Sequence, residues 1–268
     1  MTALQTLFMA FLQGATELCP VSSLGHAVLV PALLDWQLSL LNGAFLPFLV
    51  LLHLGTGLAL LAYFRRDWLE LGAGVLGRGD NTARDRRLVL LLILGTLPAV
   101  VIGAALHDPL RQIFGTPVIA AALLIVNGFI LIYGEKLRRV AGTSDLTRLT
   151  KRQSTLIGLA QCLALLPGIS RSGVTIVAGL RAGLTEVEAA RFSFLLATPI
   201  ILAAAVHELP KIHITGLLAA AGLVAGVTAY ATVAGLMHYF GKQEFRALRP
   251  FGIYCLVAGL ASLAYLSF

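Results

Sequence analysis

Two short stretches carry side chains suited to phosphoryl chemistry. In the first, QGATELCPVSSLGH, Gln13 and Glu17 stand four residues apart, on one face of a helix. Ser22, Ser23 and His26 follow. A hydroxyl beside a carboxylate and an imidazole is the material of a nucleophile with its base. A lone His26 would read as an interior histidine; in this company it reads as catalytic. In the second stretch, PGISRSGVT, Gly168 and Gly173 bracket Ser170, Arg171 and Ser172. Glycines let backbone N–H groups turn inward, hydroxyls add donors, and a guanidinium adds a planar fork. The helix that resumes at Val174 offers its N-terminus to an anion. The pattern suits a phosphate, with Gln13, Ser22, Gly168, Ser170, Ser172, Gly173 and Thr175 as the binding set.

The elements that must hold these residues are apolar. Residues of the AVILMFWYC set make up 58% of the 268, and charged residues only 12%. Mean hydropathy is +0.88. A soluble domain carries roughly 25% charged residues, so the chain reads as an all-α polytopic membrane protein. Six stretches are long enough to cross a bilayer as helices, at about 44–64, 88–107, 117–134, 192–207, 214–237 and 251–268. The two chemistry-bearing regions are apolar but broken. One runs from Thr2 to Cys19, stops at Pro20 and resumes at His26. The other runs from Thr155 to Leu166, breaks over Pro167–Gly173 and resumes. Helix, polar loop and short helix make a re-entrant hairpin, allowed at membrane depth only where protein or a polar cavity covers the backbone.

The order is a hairpin plus three spans, twice, in halves near 1–138 and 154–268 of one membrane domain. The polar linker GTSDLTRLTKRQ joins them. Three spans is odd, so the second half enters from the opposite face. That arrangement is two inverted-topology repeats with the site near the midplane. Charge supports the topology. Loops 65–87, 135–153, 181–191 and 238–250 hold 17 of the 20 Lys and Arg residues, the opposite face only Arg111 and Lys211. The basic loops are then cytoplasmic and the first hairpin opens outward. The same loops account for the net charge of +7 without a nucleic-acid partner.

Glu17 and Arg171 are the only formal charges in the broken segments. Each would cost about 2.5–3.5 kcal/mol at a helix centre. They have opposite signs and lie on the hairpins expected to meet. An ion pair that merely locks the hairpins is the simpler reading; the polar neighbours favour a site. His53 either lines that site or packs. His107, His207 and His213 read as interfacial, and Glu186, Glu188 and Arg191 as a solvated helix start. Gly222 and Gly226 read as a helix-packing contact. Cys19, Cys162 and Cys255 have no metal-ligand spacing and read as reduced packing residues. The N-terminal run lacks the basic residues and cleavage site of a signal peptide.

With both stretches in view, the chain resembles the bacterial undecaprenyl pyrophosphate phosphatase family, known through bacitracin resistance. The resemblance rests on QGATELCPVSSLGH (13–26), PGISRSGVTIVAGLRAGL (167–184) and AARFSFLLATP (Ala189 to Pro199), and covers essentially the whole chain. Leu24 stands where threonine is common, and His53 where glutamine is common. The resemblance implies removal of the terminal phosphate from a polyprenyl pyrophosphate, which recycles the lipid carrier of cell-wall synthesis. It implies a phosphatase dependent on a divalent metal, Mg2+ or Ca2+, held through Glu17 and Gln13. Glu17, Ser23, His26 and Arg171 would be catalytic. Ser23 would be the nucleophile with His26 moving its proton, or a phosphate ligand while water attacks. The expected location is the bacterial inner membrane, with the site facing outward and a homodimer left open. A polyprenyl-phosphate transporter is the other reading, since broken helices in inverted repeats also serve transport.

Overall fold

In a computed structural model the described residues are 2–36, 45–79, 81–106, 113, 116–138, 144–208, 214–242 and 247–267. His107, His213, Arg111 and Lys211 lie outside them, as does the side chain of His207. Eleven α-helices occur among the described residues: α1 (Ala3–Thr16), α2 (Ser23–Leu33), α3 (Phe45–Tyr63), α4 (Arg65–Val75), α5 (Thr82–Ala105), α6 (Pro117–Arg138), α7 (Lys151–Gln161), α8 (Arg171–Arg181), α9 (Glu186–Glu208), α10 (Gly216–Lys242) and α11 (Arg249–Ser267).

Four of these are long and apolar enough to cross a membrane: α5, α6, α10 and α11. A fifth crossing exists if α3 and α4, bent by 76° at Phe64, count as one broken span. Of the six expected spans, 88–107, 117–134, 214–237 and 251–268 match the four. The expected 44–64 span falls in α3 and ends at that bend. The expected 192–207 span falls in α9, which opens with Glu186 and Glu188 and contains Pro199. From Phe192 to Ala197 α9 is buried in protein, so its apolar content fills the core.

The outer helices are built the other way round. On α5, Ile93, Leu97 and Val101 are exposed at every fourth residue, as are Leu223 and Val227 on α10 and Val257 on α11. Such a stripe would be unstable in water and is ordinary against lipid. The inner face of α10 repeats small residues instead, at Ala221, Ala225 and Ala229. These let α1 and α3 pack closely on it. Likewise α7 packs on α5, and α6 on α11.

The two hairpins are α1–α2 and α7–α8. Each starts with the same capping box, Thr2 with Gln5 and Thr150 with Gln153. The second therefore begins inside the stretch read as linker, which also contains a 3-10 turn over Leu146–Arg148. Its break is shorter than expected. A 3-10 turn covers Cys162–Leu165, and α8 is helical from Arg171, so Ser172 and Gly173 belong to the helix rather than the loop. The hairpins touch where Gly25 meets Gly168: a Cβ on Gly25 would lie 3.0 Å from the Gly168 Cα. Gly168 has φ +104°, and a Cβ there would lie 2.4 Å from the Ala120 carbonyl oxygen. Only glycine fits that turn.

Candidate active site

Glu17 caps the C-terminal end of α1 and is buried. One turn earlier, Gln13 Nε2 donates to Glu17 Oε2 at 3.0 Å. The chain then turns through Pro20 to Ser22, which has φ +70°. That conformation is uncommon for a residue with a side chain and marks stored strain. Two features hold it: the Ser22 hydroxyl accepts the Gly25 N–H at 3.2 Å, and the Ser22 carbonyl accepts His26 Nδ1–H at 2.7 Å. The turn aims the Ser23 hydroxyl at Glu17 Oε2, to which it donates.

From the second hairpin Arg171 Nη2 donates to Glu17 Oε1 at 2.8 Å. The opposite charges on the two broken segments therefore meet. Arg171 Nη1 is buried and has no hydrogen-bond partner among the described residues. From α3, His53 donates through Nδ1 to the Leu49 carbonyl at 2.7 Å, and its Nε2 lies 3.4 Å from Glu17 Oε2. His53 thus joins the cluster.

A cavity of about 320 Å³ opens on this cluster, at the small end of ligand sites. Its polar lining is Glu17, Ser22, Ser23, His53, Gln161, Ser170 and Arg171. Apolar side chains, among them Leu49, Val50, Val100, Leu165 and Ile201, make up most of the rest. Gln13 does not line it; it sits behind Glu17 and supports that carboxylate.

Several candidates have other tasks. His26 does not meet Ser23. Its Nδ1 proton is held by the Ser22 carbonyl, so Nε2 accepts the Tyr254 hydroxyl at 2.7 Å, with the rings stacked. Both nitrogens are engaged, and the proton acceptor beside Ser23 is Glu17. Ser172 donates to the Cys19 carbonyl at 3.1 Å. The Gly173 N–H is capped by Ser170 Oγ at 3.1 Å, and the Thr175 hydroxyl pairs with Ser193 and the Arg171 carbonyl. These three brace the turn and do not line the cavity. Gly168 serves the hairpin crossing.

Asn127 of α6 ties the two loops together. It is fully buried, donates through Nδ2 to the Pro20 carbonyl at 3.0 Å and accepts the Ser170 N–H at Oδ1 at 2.9 Å. Irregular backbone in a membrane interior needs such partners. Its only trace in the sequence is a lone amide in the run LLIVNGFIL.

The donor set can be judged against a divalent cation. Among the described residues no three His, Cys, Asp or Glu side chains come together as a metal cluster. A carboxylate has about four acceptor directions, and on Glu17 three are taken by Arg171, Gln13 and Ser23. One further oxygen, Gln13 Oε1, is buried with no hydrogen-bond partner among the described residues. Mg2+ and Ca2+ are hard cations, and Mg2+ in particular binds through one or two protein oxygens while substrate phosphates and water complete its shell. The residues fit an ion that arrives with a phosphorylated substrate. They do not form a cage of their own.

The family model described as "Bacitracin resistance protein BacA" matches residues 6–261. The chain belongs to this family. Its BacA relatives align end to end with it. A protein of Acidiphilium cryptum named undecaprenyl-diphosphatase is 51% identical over 100% of this chain and 99% of its own. One of Granulibacter bethesdensis with the same name is 49% identical over 100% and 98%. The undecaprenyl-diphosphatase 2 of Chromobacterium violaceum is 47% identical over 99% of each chain. The matched residues 6–261 span the cluster around Glu17 and the breaks of both hairpins.

Proposed function

We propose that the chain is an undecaprenyl-diphosphatase, a membrane hydrolase that removes the terminal phosphate of a polyprenyl diphosphate and so recycles the lipid carrier of cell-wall synthesis. The observation that carries the mechanism is the buried contact of Ser23 with Glu17 beside a half-committed Arg171. Ser23 Oγ attacks the terminal phosphorus while its proton passes to Glu17 Oε2. A base must lie within hydrogen-bond reach of the proton it takes, and here Glu17 does. The leaving group is the polyprenyl monophosphate, whose departing oxygen needs no proton. Water then hydrolyses the phosphoserine.

Arg171 meets the growing charge through Nη1 while Nη2 stays on Glu17. The first amides of α8 add the partial positive charge of a helix N-terminus. Gln13 holds the Glu17 rotamer through Nε2. With a divalent cation bound, Glu17 would be its protein oxygen in the cavity, Gln13 Oε1 would join it on a turn of that amide, and the ion would neutralise phosphoryl charge. His26 and Tyr254 fix the turn that presents Ser23. The apolar wall suits the first isoprene units of the tail. Val100 lines the cavity and is also 48% exposed on α5, which gives the tail a route to lipid. A protein that only moved a lipid phosphate would have no task for a hydroxyl held on a buried carboxylate.

The inverted-repeat architecture belongs to the same reading. It is supported by a register of 148 residues between the hairpins. That shift relates Thr2 to Thr150, Gln5 to Gln153, Gln13 to Gln161, Ser22 to Ser170 and Gly25 to Gly173. In each hairpin the serine hydroxyl accepts the N–H of the glycine three residues on. Packing follows the same exchange, with α1 of the first half on α10 of the second and α7 of the second half on α5 of the first. The positive-inside bias supports a site on the outer face of the inner membrane.

The test is phosphate release by the purified protein in detergent with an undecaprenyl or shorter prenyl diphosphate. Ser23→Ala should lose at least about 10³-fold in kcat, as removal of a nucleophile does. Near-normal turnover in that variant would replace the covalent route by direct attack of water. No release by the wild-type protein would overturn the hydrolase.

A further inference from the structure

We infer that Gln161 is a catalytic residue that orients the water hydrolysing the phosphorylated Ser23; this rests on the covalent reading above. Gln161 ends α7, is 2% exposed and lines the same cavity as Ser23, Glu17 and Arg171. Its Nε2 donates to the Gly95 carbonyl at 3.2 Å. Its Oε1 is buried and has no partner among the described residues. The amide cannot be turned over, because Oε1 would then face the Gly95 carbonyl, acceptor against acceptor.

The approach of α7 to α5 is built for this. A Cβ on Gly158 would lie 2.4 Å from the Gly95 carbonyl oxygen. Glycine there lets the helices close until the side chain of Gln161, one turn on, reaches that carbonyl. One end of the amide is clamped, and the other is left as a fixed acceptor.

The chemistry of that acceptor narrows its ligand. A buried acceptor without a donor costs about 1–3 kcal/mol, so a ligand that donates to it is favoured. An ionised phosphate oxygen is an acceptor too and is repelled. Water is a donor, and a glutamine carbonyl that holds one water proton aims the oxygen lone pair elsewhere, as in nucleotide hydrolases where a glutamine orients the attacking water. In the step assigned here the water oxygen forms a bond to phosphorus and the bond from phosphorus to Ser23 Oγ breaks. Glu17 first loses to solvent the proton it took from Ser23; as a carboxylate again, it takes one water proton and passes it to the departing Ser23 oxygen. The other stays in its hydrogen bond to Gln161 Oε1. The products are Ser23 and inorganic phosphate.

Gln161→Met keeps the volume and removes the acceptor. Rapid-quench kinetics with farnesyl diphosphate in detergent should show a burst of farnesyl phosphate near one per enzyme, with inorganic phosphate lagging. Mass spectrometry should find phosphate on Ser23. Steady-state kcat should fall roughly 10²-fold, with KM unchanged or lower. Gln161→Glu, which keeps an acceptor, should retain more activity than Gln161→Met. A variant damaged only in folding would lose both products together without a burst, and that result overturns the proposal. So does a kcat within threefold of wild type, or a raised KM at normal kcat. If phosphoserine is absent in Gln161→Met and Ser23→Ala remains active, the covalent reading itself has failed. If Ser23→Ala is dead and Gln161→Met is normal, only the role of Gln161 has.

Discussion

Arg171 makes one bond to Glu17 and leaves Nη1 without a partner, and this asymmetry separates a phosphate ligand from a structural ion pair. A lysine could keep the pair through one ammonium but could not serve two partners with a planar fork. Arg171→Lys should therefore lose about 10²–10³-fold in kcat, while the variant still elutes as a monodisperse species. Near-normal phosphate release would reduce Arg171 to a hairpin lock. Glu17→Gln should lose roughly 10²-fold or more, because the base beside Ser23 is gone. Gln13→Glu should be milder and should change character, since two carboxylates then share one buried place. They repel unless a cation or proton joins them. The apparent activation constant for Mg2+ should fall in this variant, and activity in excess chelator should drop below that of the parent. Identical metal titrations would remove Gln13 from the metal-binding pair. The meeting of Glu17 with Arg171 was legible from two opposite charges in broken apolar segments. The partner of Ser23 was not. It depends on a left-handed turn at Ser22, a residue that carries no glycine-like sign of one, and on Tyr254 engaging His26 from 228 residues away.

At the scale of elements, the two turns at the cavity are held by α6 rather than by each other alone. Asn127→Ala leaves the Pro20 carbonyl and the Ser170 N–H unsatisfied, at about 1–3 kcal/mol for each orphaned group. Thermal melting in detergent should show a lower midpoint, and kcat should fall because both loops lose their common anchor. A melting point and kcat equal to wild type would show that water or backbone shifts replace the amide. Both hairpins were legible as helix, break and helix. Their exact ends were not. The break at Pro167–Gly173 closes earlier than its glycines suggest, because Ser170 caps α8 and draws Gly173 into the first turn. The expected 192–207 segment lies within α9, and from Phe192 to Ala197 it is sheathed in other helices, a surrounding that hydropathy does not distinguish from lipid.

For the whole molecule, the expected outcome concerns which way the site faces. In a cysteine-free background, Asp35→Cys and Asp145→Cys place single thiols at two exposed positions, one following α2 and one before α7. An impermeant thiol reagent applied to intact cells should label the first and spare the second, as the basic loops require. The reverse pattern would turn the site toward the cytoplasm. Charge counting yields an expectation at this level because the bias is large and resides in loops. The pairing of one half with the other is harder to read from sequence, since it is written in a few residues at a spacing of 148 amid general apolar similarity.

The Glu17–Arg171 contact spans 154 residues of chain, and a ribosome makes those residues in order. At ~5–20 residues per second the carboxylate waits roughly 8–30 s in a nascent membrane protein before its cation exists. During that interval the first hairpin carries a charge, an amide and two hydroxyls without the guanidinium of the second hairpin opposite them. It should stay at the bilayer surface or in the shelter of the insertion machinery and seat only when the second hairpin arrives. A chain ended after Thr150 should therefore be a poor membrane protein, cleared quickly by quality-control proteases. Supplying residues 151–268 as a separate polypeptide should prolong its life, and Arg171→Ala in that second piece should abolish the protection. Pulse-chase decay of the first piece, with and without its complement, measures the effect.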